Sequence, residues 1–250
     1  MTKCALVLGG GSVAGIAWQT GVITGMADAG VDVRDADVFV GTSGGACVAA
    51  QITSGLTLEE LFQRQVDPAL QARELAAQMD LARWSADLKQ AMEGAGDITE
   101  LMQRRGAMAL ATHTVTEAER RIFNHASGVD LVDAVAASCA IPGVWPPVTI
   151  DGHRYIDGGT YANENADLAS GFERVLVLAP DVPAHSPITL DAHSQQLRRE
   201  GARVDIVHFD EVTKKALAVV GGNLLDPAVR ERAAYAGRAQ GRSIASQLYG

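Results

Sequence analysis

Three glycine-rich segments constrain the fold of this chain more than any other feature, because each directly follows a short apolar run. The segments are Gly9-Gly10-Gly11 after residues 4–8, Gly41-Thr42-Ser43-Gly44-Gly45 after residues 38–40, and Asp157-Gly158-Gly159 after residues 154–156. Short runs of this kind, rich in Val, Ile and Leu, are typical of strands that are buried on both faces. The glycine segments therefore mark the carboxyl ends of three predicted strands, and the first two also precede predicted helices.

Strands and helices alternate at both ends of the chain. Further strands, also interpreted as buried on both faces, are predicted at residues 149–150, 175–178 and 204–208; the first pairs with 154–156 in a hairpin around Asp151-Gly152. Helices are predicted at residues 15–29, 44–53 and 191–200, and a final helix opens at Asp226-Pro227 and covers about 226–248. This order predicts an α/β fold, a three-layer α/β/α sandwich with a mostly parallel central sheet, as a single domain over residues 1–250.

Residues 58–125 are predicted to form a helical insertion. This stretch has no strand pattern and is interpreted as two to four helices, broken near Gly94-Ala95-Gly96 and Gly106. Apolar residues recur in it at helical spacing, in the series Leu75, Met79, Ala82 and in the series Leu81, Trp84, Leu88, Met92. Ordinary core and a cap over an acyl-chain pocket both explain this pattern. The acidic start of the helix at Glu59-Glu60 and the Arg-rich final helix are interpreted as solvated faces.

Composition excludes several classes of protein. The 250 residues carry 21 Lys and Arg against 30 Asp and Glu, a net charge of −9. Nucleic-acid binding needs a basic surface, so no nucleic-acid partner is expected, and the charge gives little help in docking to an anionic membrane. Cys4, Cys47 and Cys139 are far apart in apolar surroundings and are predicted to be reduced core residues. No apolar run approaches the roughly 18 residues of a membrane span or resembles a signal peptide, so a soluble, cytoplasmic protein is expected.

The central glycine segment matches the pattern Gly-x-Ser-x-Gly, with Ser43 between Gly41 and Gly45. In this arrangement a serine lies on a sharp turn from strand to helix, and the helix amino terminus stabilises negative charge that develops beside it. The pattern alone is weak, and a simple tight turn is its ordinary explanation. The predicted strand before it and helix after it favour a nucleophile.

A nucleophilic serine needs a base that takes its proton. Histidine is the usual base, but none of the six histidines is predicted at the carboxyl end of a strand; they are His113, His125, His153, His185, His193 and His208. Asp157 does follow a predicted strand, and a carboxylate can act as the base if it is held against the hydroxyl. A turn aspartate is the alternative explanation of Asp157.

The first glycine segment can present backbone N–H groups to an oxyanion, because no side chain blocks the approach to its amides. A dinucleotide-binding turn is the competing interpretation, since such turns also join a strand to a helix through glycines. The spacing from Gly9 through Gly11 to Gly15 is irregular for that use. Gly41 and Thr42 also occupy the place where an acidic residue would bind a ribose.

Taken together, the glycine loop, the Gly-x-Ser-x-Gly segment and the Asp-Gly-Gly segment, in this order, resemble the patatin-like phospholipase family. Residues 137–142, with the sequence Ala-Ser-Cys-Ala-Ile-Pro, add to this resemblance, which covers roughly residues 4–180. The resemblance implies a catalytic dyad of Ser43 and Asp157, with the amides of Gly10 and Gly11, joined by Gly44, as the oxyanion hole. One departure concerns the glycine loop: the family pattern continues with a basic residue and a glycine, whereas here Gly11 is followed by Ser-Val-Ala-Gly.

Neighbouring residues are given lesser roles. Cys47 is expected to pack against the sheet, and Ser138 and Cys139 to line or support the site. Asn163 and Asn165 are interpreted as turn or capping residues, with positioning of the Asp157 loop as the alternative.

The expected function is hydrolysis of carboxylic esters of lipids by a serine nucleophile through an acyl-enzyme. Neither step needs redox chemistry or a Lewis acid, so no cofactor or metal is expected. The expected partner is a lipid or other ester substrate, met in transient contact with a membrane surface. Two alternatives stay open: an acyltransferase that uses the same acyl-enzyme, and a non-catalytic module that binds lipid or nucleotide.

Overall fold

The computed structural model describes residues 2–72, 84, 86–87, 89–90, 93, 96–110, 119–182, 186, 188–219 and 221–249. Its strands are β1 (Cys4–Leu8), β2 (Val38–Gly41), β3 (Val148–Ile150), β4 (His153–Tyr155), β5 (Arg174–Ala179) and β6 (Arg203–His208). Its helices are α1 (Ser12–Asp28), α2 (Gly44–Ile52), α3 (Leu58–Val66), α4 (Ile98–Leu110), α5 (Leu131–Ser138), α6 (Leu190–Arg199), α7 (Glu211–Ala218) and α8 (Arg230–Tyr249). The six predicted strands are confirmed, as are the helices that flank the glycine segments.

A parallel sheet forms the centre of the structure, with β1 in its interior. The strand order is β2-β1-β5-β6, and each neighbouring pair is parallel. Because β2 lies on one side of β1 and β5 on the other, the chain changes direction across the sheet at β1. Ligand sites of open parallel sheets lie beyond the carboxyl ends of the strands at such a point. Gly9-Gly10-Gly11 begins there.

Alternate residues of β1 point into two different hydrophobic cores, which is why its five residues are almost continuously apolar. Leu6 and Leu8 pack with α1, α3 and α8 on one face of the sheet. Val7 packs on the other face with Leu197 of α6 and with Ala166. Helices therefore cover both faces of the parallel sheet, and the predicted α/β/α architecture is confirmed.

The final helix packs along α1 at backbone contact distance. A Cβ atom added to Gly237 of α8 would lie 2.3 Å from the carbonyl oxygen of Trp18, and one added to Gly21 of α1 would lie 2.2 Å from that of Ala234. Arg230 is buried and donates to Gln65 Oε1 at 2.9 Å. The interpretation of this helix as a solvated face is thus wrong, because its small residues pack against α1 and Arg230 is buried with them.

The hairpin of β3 and β4 is antiparallel and forms a sheet of its own. The prediction that these two strands are buried on both faces is wrong, since Thr149, His153 and Arg154 are exposed. In the described part of the chain, this small sheet packs against α5 through β3 and against Phe123 through Tyr155. The hairpin positions Asp157, which follows β4 by two residues.

The insertion is helical where the structure describes it. Helix α4 runs through Gly106, so the predicted break there is wrong; a single glycine costs a helix only about 1 kcal/mol. Trp84 donates from Nε1 to the carbonyl oxygen of Pro142 at 2.8 Å, which ties the insertion to the segment before the hairpin. The other predicted apolar-series residues and the Gly94-Ala95 break lie outside the described residues. Of the helices described, none has the length and apolar character needed to cross a bilayer.

Candidate active site

Ser43 lies on a tight turn between β2 and α2, as its sequence pattern predicts. Its backbone has φ of +51° and ψ of −124°, a strained conformation for a residue with a side chain. The turn needs glycine on both sides because strand and helix almost touch. A Cβ on Gly45 would lie 2.0 Å from the Leu8 carbonyl oxygen, and one on Gly41 would lie 2.6 Å from Cα of Ala46. Helix α2 begins at the next residue, so its positive end faces the serine.

Asp157 reaches Ser43 from the separate hairpin. Its N–H donates to the Ala140 carbonyl oxygen at 2.9 Å, which fixes the end of β4 to the segment after α5. Its Oδ1 accepts from the Gly159 N–H at 2.7 Å. The Ser43 hydroxyl lies against the carboxylate closely enough to influence its protonation. The side chains of both residues are buried, with Ser43 7% and Asp157 6% exposed.

Burial dominates the protonation of Asp157 and raises its pKa to about 6. The Ser43 hydroxyl beside the carboxylate, the hydrogen bond from the Gly159 amide and the positive charge of Arg105 act in the opposite direction. The carboxylate is therefore ionised at neutral pH and has a proton affinity high enough to accept a proton from a hydroxyl. Its Oδ2 is buried and makes no hydrogen bond of standard geometry within the described part of the chain.

Arg105 is a site neighbour that sequence reasoning missed. Arg105 belongs to α4 of the insertion and is only 3% exposed to solvent. Its positive charge interacts with the carboxylate of Asp157. Burial lowers the pKa of Arg105 to about 10, so it stays charged at neutral pH. Buried arginines are rare unless they face an opposite charge. The one signal in the sequence is an arginine directly before the apolar run that starts at Gly106.

The glycine loop is held by hydrogen bonds on both sides of its backbone. The Gly9 N–H donates to the Leu178 carbonyl oxygen at 3.0 Å, and Gln19 Nε2 donates to the Gly9 carbonyl oxygen at 2.7 Å. The Gly10 N–H donates to the Asn163 carbonyl oxygen at 2.9 Å. That bond takes up the Gly10 amide that the sequence assigned to the oxyanion hole.

Two other amides of the predicted oxyanion hole stay available. In the described part of the chain, neither the Gly11 N–H nor the Gly44 N–H donates to a protein acceptor. Ser12, the first residue of α1, lies beside Gly44: its nitrogen would be 3.3 Å from a Cβ placed there. The φ angle of Ser12 is +54°, which is strained for serine. Sequence reasoning noted Ser12 only as a departure from the family pattern and did not anticipate this strain.

Asn165 joins the nucleophile turn to the loop that follows Asp157. Its Nδ2 donates to Thr42 Oγ1 at 3.0 Å and to the Ala162 carbonyl oxygen at 2.7 Å. On its outer side, Asn165 Oδ1 accepts from Arg120 Nη1 at 3.2 Å, and the same arginine forms a bidentate ion pair with Asp167. The structure fits both sequence interpretations: Asn165 opens the 3-10 turn of Ala166–Ala169, and its side chain joins the elements that carry Ser43 and Asp157.

Ser138 and Cys139 support the site from the end of α5, as expected. Ser138 Oγ accepts from the Ser43 N–H at 2.9 Å. Cys139 Sγ lies 3.6 Å from Cys47 Sγ on α2. Its contact with Cys47 and its burial raise the pKa of the Cys139 thiol well above its usual range, so it stays protonated. A protonated thiol is a poor nucleophile.

Three histidines in the described part of the chain contact groups other than Ser43 and Asp157. His208 ends β6, contrary to the prediction that no histidine ends a strand, and its Nδ1 lies 3.1 Å from Asp181 Oδ1. His193 faces Asp167, and His153 faces the Asp151 carbonyl oxygen. His113 and His185 lie outside the described residues. Over the same described part of the chain, no group of three His, Cys, Asp or Glu side chains is arranged to hold a metal ion.

Comparisons with known proteins match the part of the chain that carries this site. The family model described as patatin-like phospholipase matches residues 6–170, a span that includes the glycine loop, the Ser43 turn and Asp157. A rat protein, patatin-like phospholipase domain-containing protein 7, is 30% identical in an alignment of 209 residues that covers 77% of this chain. The alignment covers 14% of the rat protein, so the chain spans a small part of that relative. The chain belongs to the patatin-like phospholipase family.

Proposed function

We propose that this protein is a serine hydrolase that cleaves carboxylic ester bonds of lipids through an acyl-enzyme. The observation that carries the proposal is the approach of a strained, buried serine to a buried carboxylate whose pKa is raised to about 6. A base of this strength suits proton transfer near neutral pH. Family membership and the name of the rat relative, a phospholipase domain-containing protein, support lipid as the substrate class.

In the first half of the reaction, Ser43 Oγ attacks the ester carbonyl carbon while Asp157 takes the hydroxyl proton. The carbonyl oxygen becomes an oxyanion, which the Gly11 and Gly44 amides and the amino end of α2 stabilise. Collapse of this intermediate breaks the bond to the alcohol, which leaves with the proton from Asp157. An acyl group then remains on Ser43.

In the second half, water replaces the alcohol. Asp157 accepts a proton from the water as its oxygen attacks the acyl carbon, and the same donors stabilise the second oxyanion. Collapse returns the proton to Ser43 Oγ and releases the carboxylic acid. An acyltransferase would differ only in the acceptor, with an alcohol in place of water.

We also place the protein in the cytoplasm. All three of its cysteines are free thiols, and Cys47 and Cys139 remain unbonded at a sulfur separation of 3.6 Å. Two thiols this close together would be prone to oxidation outside a reducing compartment, so their proximity fits a cytoplasmic location.

The test combines a fluorophosphonate probe, which phosphonylates only activated serines, with hydrolysis of esters of graded acyl length. The wild-type protein is expected to be labelled on Ser43. Ser43→Ala abolishes labelling, and Asp157→Asn lowers the rate of ester hydrolysis at least a thousandfold. Ser54→Ala and Asp35→Asn, which replace the same residue types at exposed positions, serve as matched controls and retain full activity. Unimpaired hydrolysis by Ser43→Ala or Asp157→Asn would refute the dyad.

Product analysis then separates the hydrolase from the acyltransferase. Free fatty acid is the expected product, even when an alcohol such as glycerol or a lysolipid is added. Transfer of the acyl group to the added alcohol in preference to water would assign the protein to the acyltransferases. A wild-type protein that neither reacts with the probe nor hydrolyses any ester would be a binding module.

A further inference from the structure

The Gly10–Gly11 peptide is held in place by the backbone and side chain of Asn163. Asn163 contacts Gly10 twice: its carbonyl oxygen accepts from the Gly10 N–H at 2.9 Å, and its Nδ2 donates to the Gly10 carbonyl oxygen at 3.1 Å. The two bonds fix the peptide groups on both sides of the Gly10 Cα atom. Gly10 therefore has little freedom to rotate.

The second bond also sets the direction of the neighbouring amide. In a trans peptide the C=O and the following N–H point in opposite directions. The peptide between Gly10 and Gly11 is trans, so a donor that holds the Gly10 oxygen on one side turns the Gly11 N–H to the other side. That N–H is one of the two amides left without a protein acceptor in the described part of the chain.

The Asn163 side chain lies close to both the glycine loop and the turn after Asp157, and the glycine loop itself lies close to Ser43. A Cβ placed on Gly10 would be 2.7 Å from Asn163 Oδ1 and 3.3 Å from Ser43 Cβ, and one placed on Gly159 would be 3.6 Å from the same Oδ1. The side-chain amide thus sits between the glycine loop and the turn that follows Asp157. The space between them accepts a planar amide because Gly10 has no side chain.

The orientation of the Asn163 amide is itself fixed. Its nitrogen also donates to Glu164 Oε1 at 2.8 Å, so Gly10 and Glu164 together use both amide hydrogens. Glu164 is buried, and its burial raises its pKa. The Gly10 carbonyl oxygen and Glu164 Oε1 both need a donor, so the amide nitrogen must face them. Asparagine supplies this donor, whereas an ionised aspartate has only acceptor oxygens.

We infer that Asn163 is a positioning residue for the oxyanion hole, because it holds the Gly10–Gly11 peptide so that the Gly11 N–H points at the developing oxyanion. This inference rests on the proposed hydrolase function. It predicts that loss of the Asn163 amide weakens binding of the transition state and leaves binding of the substrate largely intact.

The test measures hydrolysis and inhibitor binding for Asn163→Ala. We expect kcat to fall about tenfold to a hundredfold, with KM changed less than about threefold, since a donor misplaced by an ångström costs rate more than binding. Affinity for a trifluoromethyl ketone, to which Ser43 Oγ adds to form a tetrahedral oxyanion, should fall by the same factor as kcat/KM. Affinity for a non-hydrolysable ether analogue of the substrate should stay within threefold.

Thr57→Ala is the stability control. Thr57 caps α3 through a hydrogen bond to the Glu60 N–H, so its replacement destabilises the protein without altering the site. If Asn163→Ala does not fold, Asn163→Ser, which is closer in polarity, carries the same expectation. A protein in which ketone and ether affinities fall together, or in which kcat is unchanged, would overturn the inference. Failure of the wild-type protein to react with the fluorophosphonate would instead overturn the proposed function, and this inference with it.

Discussion

Asn165 donates a hydrogen bond of 3.0 Å from its side chain to Thr42, the residue immediately before the candidate nucleophile. Both side chains are buried. The bond joins the segment after Asp157, which follows the β3–β4 hairpin, to the carboxyl end of β2 in the central sheet. A change at either end therefore alters the approach of Ser43 to Asp157.

Removal of the Asn165 side chain should reduce catalysis more than stability. Asn165→Gly is the suitable variant, because Asn165 has a φ of +50° that alanine would adopt only with strain. We expect kcat to fall about tenfold to a hundredfold through misalignment of the dyad. Thr42→Val should show a loss of similar size, and Thr42→Ser, which keeps the hydroxyl, should restore the rate. In a double-mutant cycle, the two losses should not add; fully additive losses would show that the bond does not link the two elements.

The pH dependence of hydrolysis should follow the protonation of Asp157. With a pKa of about 6, the carboxylate is ionised above that pH and loses its function as a base below it, so kcat/KM should fall as pH decreases through about 6. Arg105→Gln should move this acidic limb to higher pH, because the arginine charge lowers the pKa of Asp157. Arg105→Lys, which keeps the charge, should leave it nearer the wild-type position. Arg104→Gln on the same helix is the control, since Arg104 pairs with Glu100. An acidic limb that is identical in Arg105→Gln and the wild-type protein would contradict this electrostatic role.

The buried carboxylate should also cost the protein stability. A folded-state pKa raised to about 6 means that the native state favours protonated Asp157, so stability is lost as pH rises through that value. At about 1.4 kcal/mol for each pH unit, ionisation costs on the order of 3 kcal/mol at neutral pH. Asp157→Asn should therefore raise the free energy of unfolding at pH 8, with an advantage that shrinks between about pH 6 and pH 4. Denaturant titrations at several pH values measure the difference.

Asp167→Asn is the control for those titrations, because its effect on stability should have the opposite sign. Burial raises the pKa of Asp167, but its bond and charge interaction with Arg120 outweigh burial and lower it overall. Its substitution should destabilise the protein at neutral pH. A stability advantage of Asp157→Asn that does not change with pH would exclude ionisation as its cause.

A side chain at Gly10 should abolish activity. The added Cβ of Gly10→Ala would lie 2.7 Å from Asn163 Oδ1 and 3.3 Å from Ser43 Cβ, so either the loop or the asparagine must move. We expect a loss of at least a hundredfold in kcat. Gly30→Ala is the control: Gly30 has a φ of +86° with open space around it, so the substitution strains the backbone and leaves the site intact. Activity of Gly10→Ala above a tenth of the wild-type rate would show that the loop is less confined than its contacts indicate.

The sequence predicts the parts of the site that local patterns determine. Strand, glycine and helix follow each other at Ser43 because a sharp turn between packed elements requires small residues, and this requirement is visible within five positions of the chain. The glycine loop after β1 is predicted in the same way, because three glycines directly follow a short apolar run. It also explains why β1 and β5, which contact helices on both faces, are recognisable from composition alone.

Long-range contacts account for what the sequence does not show. That the Gly10 amide is already occupied follows from a residue more than 150 positions away, and Arg105 comes from a helix with no motif. The sequence predicts that the hairpin strands are buried on both faces, and this is wrong. Residue type alone does not distinguish a strand of a separate small sheet from a strand of the central sheet. Helices α5 and α7 were not predicted; each has eight residues, too few for a clear periodic pattern.

The glycine contacts between α1 and α8 connect the glycine loop of the site to the final helix of the chain. Helix α1 starts directly after Gly11, and α8 meets it without intervening side chains: a Cβ on Gly241 would lie 2.2 Å from the Val22 carbonyl oxygen. A bulky residue at such a position would push α1 away from α8, and the glycine loop, which leads directly into α1, would shift with it. Substitutions on α8 are therefore expected to disturb the candidate active site, although they lie remote from Ser43 along the chain.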